Sequence, residues 1–208
     1  MTPKPDPRRR YHHGDLRNAL EAAALELVAE RGPHGFTLAE ASRRAGVSVA
    51  APFRHFANRE ALLAALALRS FAEQERRFAD AVSAAAEPVA QLAAFAAAYV
   101  QFAIDERALF DMTFGADIDK ASYAELEQAG QRVLDVILAP ALRLCPDPRA
   151  ALELVYAVGA VAHGYAAFLR EGVLGIDQEA GVRAMHGAAR GAEALAEALA
   201  DGDRPMKL

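Results

Sequence analysis

From Asp15 the apolar positions Leu16, Ala19, Leu20, Ala23, Ala24, Leu27 and Val28 recur at spacings of three and four, the period of one helix face. Gly32-Pro33 stops this first helix. Thr37-Leu38-Ala39-Glu40 has the spacing of a capping box, in which hydroxyl and carboxylate each satisfy an orphan amide of a helix start. The short second helix predicted there turns Leu38, Ala41 and Ala45 inward, and Gly46 ends it through a left-handed backbone. Val47 plugs the turn, Ser48 is placed to cap a third helix reaching about His55, and Asn58 caps a fourth running through Leu62, Leu63, Leu66 and Phe71 into the mid-eighties. Two short helices joined by a tight glycine-led turn make a helix-turn-helix.

Pro52 falls inside the third of these helices. With Ser48 as cap, Val49, Ala50 and Ala51 have amides without an intrahelical partner in any case, and Pro52 is the first residue whose missing N–H removes a bond. A helix therefore remains the expectation, its first turn stiffened by the ring.

Further along, Pro88 opens a helix to about Asp105, and a shorter one holds Leu109, Phe110, Met112 and Phe114. Ala121 to Leu144 forms a long helix containing Pro140, and Pro146-Asp147-Pro148 breaks the chain before an apolar helix that ends at Gly172. Asp177 caps a last helix, from about Gln178 to Ala200. The window Ala150 to Leu169 is long enough to span a bilayer, but Glu153 and His163 within it favour a buried central helix enclosed by others over a membrane segment. The expected fold class is all-α: a flexible basic arm at residues 1–14, a three-helix DNA-binding domain of helix-turn-helix type at 15–66, a helical domain at 67–202 and a tail at 203–208.

Composition sharpens this picture. Alanine-rich stretches, no tryptophan and 7% aromatic residues favour helices over strands. The lone Cys145 forms no intramolecular disulfide and no cysteine metal cluster, which suits a reducing cytoplasm. The arginines of the first residues are followed by no apolar run, so no export signal is expected. The net charge of -5 conceals an asymmetry. Residues 1–60 carry ten Lys or Arg against seven Asp or Glu, and residues 61–208 carry thirteen against twenty-one. A basic first quarter on an acidic remainder fits a chain whose first part alone meets a polyanion.

The stretch ALELVAERGPHGFTLAEASRRAGVSVAAPFRHFANREALL, with Gly32, Phe36-Thr37, Ala45-Gly46-Val47-Ser48, Phe53, His55-Phe56 and Arg59-Glu60-Ala61-Leu62 in order, resembles the N-terminal DNA-binding domain of the tetracycline-repressor (TetR) family. The resemblance covers Tyr11 to about Leu66. Val161-Ala162-His163-Gly164-Tyr165, with Gly172 after it, is similar to a His-Gly motif of one C-terminal subclass. Three positions depart from the common pattern: Phe53 stands for a tyrosine and lacks its phosphate-binding hydroxyl, Arg59 stands for a lysine, and Pro52 for an aliphatic residue.

The resemblance implies a transcriptional regulator, most simply a repressor, that binds double-stranded DNA at a palindromic operator as a homodimer and is released by a small hydrophobic or aromatic effector. No cofactor, metal, catalytic residue or membrane partner is implied. In such domains the second short helix enters the major groove, its first residues over base edges. Val49, Ala50 and Ala51 would then touch thymine methyls. Arg54, His55, the arm residues Arg8, Arg9 and Arg10 in a minor groove, and DNA shape would supply the rest of the specificity. Thr37, Ser48, His55 and Arg59 are the phosphate candidates, and the Phe53 ring packs on the sugar-phosphate edge. Thr37 and Ser48 serve equally well as simple caps, Arg43 and Arg44 as a solvated face, and His55 as a packed histidine.

An effector pocket would draw on Phe95, Tyr99, Phe102, Phe110, Met112, Phe114, Tyr123 and His163, all of which also suit a plain core. Ala157, Ala160, Gly164, Gly181, Ala184, Ala188 and Gly191 give the last two long helices small faces for a two-fold four-helix interface, or for packing within the chain. Two rival readings stay open: a regulator without an effector or acting as an activator, and a helical-bundle enzyme using His163 as base. Against the second, no Glu-x-x-His pair lies on a core helix and no phosphate loop or nucleophile cluster is present.

Overall fold

The first apolar face belongs to α1 (His13–Arg31), which stops where Gly32 turns to φ +74° and donates its amide to the Val28 carbonyl at 2.8 Å. In this computed structural model residues 13–114, 118 and 123–200 are described. Arg8, Arg9 and Arg10 and the tail at 203–208 lie outside the described residues. All described regular structure is helical: α1 is followed by α2 (Leu38–Arg44), α3 (Arg59–Ser83), α4 (Pro88–Asp105), α5 (Arg107–Phe114), α6 (Ala124–Leu144), α7 (Pro148–Arg170) and α8 (Ala180–Ala200).

Local chemistry sets these ends as read. Thr37 and Glu40 form the complete capping box, Asn58 accepts from the Ala61 amide at 2.8 Å, and Pro88 and Pro148 occupy first turns. Gly46, at φ +70°, closes α2 in a Schellman arrangement: its amide bonds Arg43 O and the Val47 amide bonds Ser42 O at 3.0 Å.

The third short helix is a correction. Between α2 and α3 the chain makes a turn over residues 48–51 and then a single 3-10 turn, Pro52–Arg54. Pro52 has no N–H to return to Ser48, so the Ser48 carbonyl takes the Ala51 amide at 3.0 Å instead, and His55 closes onto Pro52 O at 2.8 Å. Ala51 keeps a helical backbone at φ -64° and ψ -40°. The ring thus leaves helix-like dihedrals but not an α-helix, and Ser48 caps nothing.

Three clusters make up the interior. α1, α2 and the first turns of α3 enclose Leu20, Leu27, Phe36, Phe56, Leu62 and Leu66, with Met112 of α5 inserted among them. Ala64, Ala67 and Phe71 of α3 lean on Leu126 and Ala129 of α6. The largest core holds Phe78, Phe95 and Phe102 with apolar residues of α6, α7 and α8. α3 therefore runs from the first core into the last.

α8 packs most extensively on α4 and then on α7. Ala180, Ala184, Ala188, Ala192 and Ala196 repeat every fourth residue and are all buried. This smooth ridge lets the backbones approach closely. A Cβ on Gly187 would sit 2.3 Å from the Tyr165 ring, and one on Gly191 2.8 Å from Val161. α7 is the one described helix long and apolar enough to cross a bilayer. The expectation that it is enclosed on all sides is corrected. Its buried residues, from Ala151 through Leu154 and Val158 to Ala166, form one face, while Tyr156 and Phe168 are exposed on the other.

Candidate functional site

The outer surface of the first core is formed by the turn after α2. Ser48, Val49, Ala50, Phe53 and Arg54 are exposed, Ala51 and His55 are half-buried, and Pro52 is buried beneath them. Phe53 leaves 61% of its surface in solvent, which no core role requires. Arg54 enters no ion pair among the described residues. Thr37 is exposed at the start of α2, but its hydroxyl is engaged with Glu40, accepting from the amide at 3.2 Å and donating to the carboxylate at 2.9 Å.

Three of the nearby cations hold the fold. Arg59 donates to the Phe36 carbonyl at 2.8 Å and to the Pro33 carbonyl, with its guanidinium 4.9 Å from the Phe36 ring centroid. It ties the start of α3 to the loop between α1 and α2. Arg44 forms a two-pronged pair with Glu30 of α1, and Arg31 bridges to Glu40 at 2.9 Å. The Arg31 guanidinium, then the Thr37 amide and hydroxyl, pull the Glu40 carboxyl down to about 2. Arg43 is exposed.

The second feature is a cleft of about 620 Å³ between α3, α4, α5, α6 and α7. Phe95, Tyr99, Phe114 and His163 of the expected set line it, with Phe71, Phe78, Val133, Ile137 and Tyr156. Phe102 and Phe110 stand behind, the Phe110 ring stacked on His163 at 5.8 Å and the Phe102 ring 6.1 Å from Phe78. Two expected residues are elsewhere. Met112 is in the first core, and Tyr123 packs beside Phe71 and Leu126 at the start of α6. On α5, consecutive residues are turned about 100° from one another, so Thr113 reaches the cleft and Met112 does not.

The polar groups of the cleft are few. Tyr99 Oη and His163 Nδ1 lie 2.9 Å apart. Burial pushes the Tyr99 hydroxyl well above its usual range, and burial, then the Arg170 charge, lower the imidazole. On the opposite side, buried Gln74 donates from Nε2 to Thr113 Oγ1 at 2.8 Å and to Ser70 Oγ at 3.1 Å, and Ser70 donates to the Leu109 carbonyl at 2.8 Å. Ser70, Gln74 and Thr113 thus bolt α3 to α5. Sequence reading passed over Gln74, because it lies in the polar run Glu73-Gln74-Glu75-Arg76-Arg77.

Residues 20–66 match the family described as bacterial regulatory proteins, tetR family, and residues 92–191 match a tetracyclin repressor-like C-terminal domain. The chain belongs to the TetR family. It is a DNA-binding transcriptional regulator of helix-turn-helix type. A solved protein of unknown function from a Rhodococcus species is 29% identical over 94% of this chain and 98% of that one, with a TM-score of 0.73. The TetR family regulator PfmR of Thermus thermophilus is 18% identical over 90% and 99%, TM-score 0.63. The fatty acid degradation regulator FadR of Bacillus halodurans is 14% identical over 97% and 99%, TM-score 0.64. No curated protein matches.

In this TetR-family chain the small residues proposed for a two-fold interface divide. Ala184 and Ala188 are fully buried within the protomer, and their assignment to a dimer surface is corrected, since the α8 ridge they form is already filled by its own chain. Gly181 and Gly191 face Ile104 and Val161 of the same chain. Ala160 is exposed, Ala157 half-buried, and a Cβ on Gly164 would meet nothing within 4 Å. Beside them lie exposed Tyr156, Phe168 and Val182, apolar side chains on the outward faces of α7 and α8.

Proposed function

We propose that this regulator is a cytoplasmic repressor that binds a palindromic operator as a homodimer and leaves it when a small apolar effector enters the cleft. The observation that carries the reading is the placement of α5. Thr113 lines the cleft while its neighbour Met112 fills the core under the DNA-contacting turn. A ligand that displaces α5 must therefore disturb the packing that orients Phe53 and Arg54. The outward faces of α7 and α8, with Tyr156, Ala160, Gly164, Phe168 and Val182, serve as the two-fold interface, holding two reading turns about 34–36 Å apart, one DNA turn.

At the DNA, Ser48 and Thr37 lie near phosphates, Val49 and Ala50 meet base edges, the Phe53 ring covers a sugar-phosphate edge, and Arg54 supplies the cation. Arg8, Arg9 and Arg10 reach an adjacent groove. Arg59 supports this surface from within. To release the operator, the effector must favour the detached arrangement by about 1–3 kcal/mol, the usual range of such coupling.

Capture of genomic fragments by the full-length protein at near-physiological salt tests the reading, with a Phe53→Ala, Arg54→Ala double variant as control. A shared palindrome enriched by the wild type and lost by the variant is expected. Folded, dimeric wild-type protein that enriches nothing over the variant overturns it.

A further inference from the structure

Among the described residues no cationic or anionic side chain lines the cleft. Arg170, whose charge reaches His163, is exposed and already paired with Asp111 at 3.1 Å. A carboxylate or phosphate entering would surrender its hydration without a counter-ion, which strongly opposes binding. Aromatic rings form the walls, and Gly159 leaves the α7 side open, since a Cβ there would meet nothing within 4 Å. The walls thus favour an apolar, ring-bearing body.

What remains is the polar complement. Gln74 is 2% exposed, and every hydrogen bond it makes leaves from Nε2. With the Ser70 proton on Leu109 O and the Thr113 proton on Ser70 Oγ or Leu109 O, both hydroxyls offer lone pairs to the Gln74 N–H groups. The amide then turns its N–H groups to them and its Oε1 to the cleft that it lines. That oxygen accepts no hydrogen bond from the described side chains and opens on the cleft, where a ligand donor can reach it.

Across the cleft, His163 Nδ1, at 2.9 Å, is the one acceptor among the described residues for the Tyr99 hydroxyl proton. The neutral imidazole therefore carries its own proton on Nε2.

We propose that the cleft binds an uncharged, mainly apolar aromatic molecule bearing a hydroxyl that donates to Gln74 Oε1, with His163 Nε2–H available to an acceptor on the same molecule. The proposal rests on the cleft being the effector site. A ligand lacking the donor would seal Gln74 Oε1 away from water unsatisfied, and sites of this kind discriminate strongly against such analogues.

Calorimetric titration of the full chain with para-hexylphenol, para-hexylanisole and para-hexylbenzoate tests this, using wild type, Gln74→Met and Gly159→Leu. On wild type the phenol is expected to bind at least about tenfold more tightly than the methyl ether or the benzoate. In Gln74→Met, whose circular dichroism and thermal midpoint verify folding, the phenol should fall to within about threefold of the ether, because its acceptor is gone. If Gln74→Met does not fold, the wild-type ranking alone decides. Equal binding of phenol and ether, a phenol advantage that survives in folded Gln74→Met, or preference for the benzoate overturns the ligand class while leaving the cleft reading intact. Gly159→Leu should weaken all three by filling the cleft. Binding indifferent to that substitution, or no binding of any probe, overturns the cleft reading itself.

Discussion

The DNA-contacting end and the cleft-bearing end use the same alanine- and leucine-rich helices, but they solve opposite problems. At the DNA end the elements are too short to persist alone: α2 has seven residues and the reading turn three. They are held by the Thr37–Glu40 box and by tethers to longer helices, namely Arg31 on Glu40, Arg44 on Glu30 and Arg59 on two carbonyls. At the other end four of the five helices around the cleft, α3, α4, α6 and α7, run 18 to 25 residues. They have enough mutual packing to leave a hollow between them. Short pieces are tied tight to hold one shape, whereas long ones can leave space for a guest.

The largest effect that would sharpen this contrast sits on one turn. Phe56 is buried beneath the reading surface and Phe53 is exposed upon it. Phe56→Ala is expected to cost about 3–5 kcal/mol of stability. Phe53→Ala should stay within about 0.5 kcal/mol of wild type and lose DNA affinity alone. Urea unfolding together with fluorescence anisotropy on a captured operator separates the two, and equal destabilisation would erase the distinction between anchor and reader.

Arg59→Ala comes next, at about 1.5–3 kcal/mol, because hydrogen bonds from a cation are lost and two carbonyls are stranded. If the residue is a tether rather than a DNA contact, the slope of log affinity against log salt stays unchanged in the folded variant, whereas loss of a phosphate contact would reduce it by about one. At the frame end, Gly187→Ala forces a methyl toward the Tyr165 ring, and about 1 kcal/mol of destabilisation is expected, at the low end for overpacking because the half-buried ring can swing away. Gly164→Ala, with open space around it in its own chain, should leave the helix itself neutral or stabilised in thermal melts.

The smallest effect is the pH dependence that Glu40 lends to the tethered end. The folded-state value for Glu40 is depressed from about 4.5 to about 2. Its contribution is therefore complete above pH 4.5 and is lost as pH falls toward 2. Glu40→Gln should narrow the drop in melting midpoint between about pH 5 and pH 2.5, and an identical drop in both proteins would show that the box carries none of it.

Much of this architecture was legible from spacing, because caps are local. Thr37 with Glu40, Gly46, Asn58 and Pro88 each act through neighbours three or four residues away, and each ended or began a helix as read. Pro52 misled because its bond count alone left one lost hydrogen bond affordable for a helix. In the fold the freed Ser48 carbonyl closes a tighter turn instead. The cleft was half legible. Phe95, Tyr99, Phe114 and His163 follow from aromatic spacing, but the eight-residue α5 is apolar on two sides, and nothing local says that Met112 faces one core and Thr113 the cleft. Gln74 is hidden among charges whose solvation is decided by α5, thirty-nine residues on. Ala184 and Ala188 carry no label telling a seam within the chain from one between chains.

The alanine ridge of α8 also bears on how such a protein can change over generations. Every fourth position admits almost no side chain beyond a methyl, so a survey of all substitutions along α8 should show intolerance recurring with that period. The outward positions between them, Val182, His186 and Arg190, are unconstrained by the seam. A lineage could rewrite which copies associate with which, letting duplicated regulators drift apart into separate circuits, without disturbing the helix that carries the change.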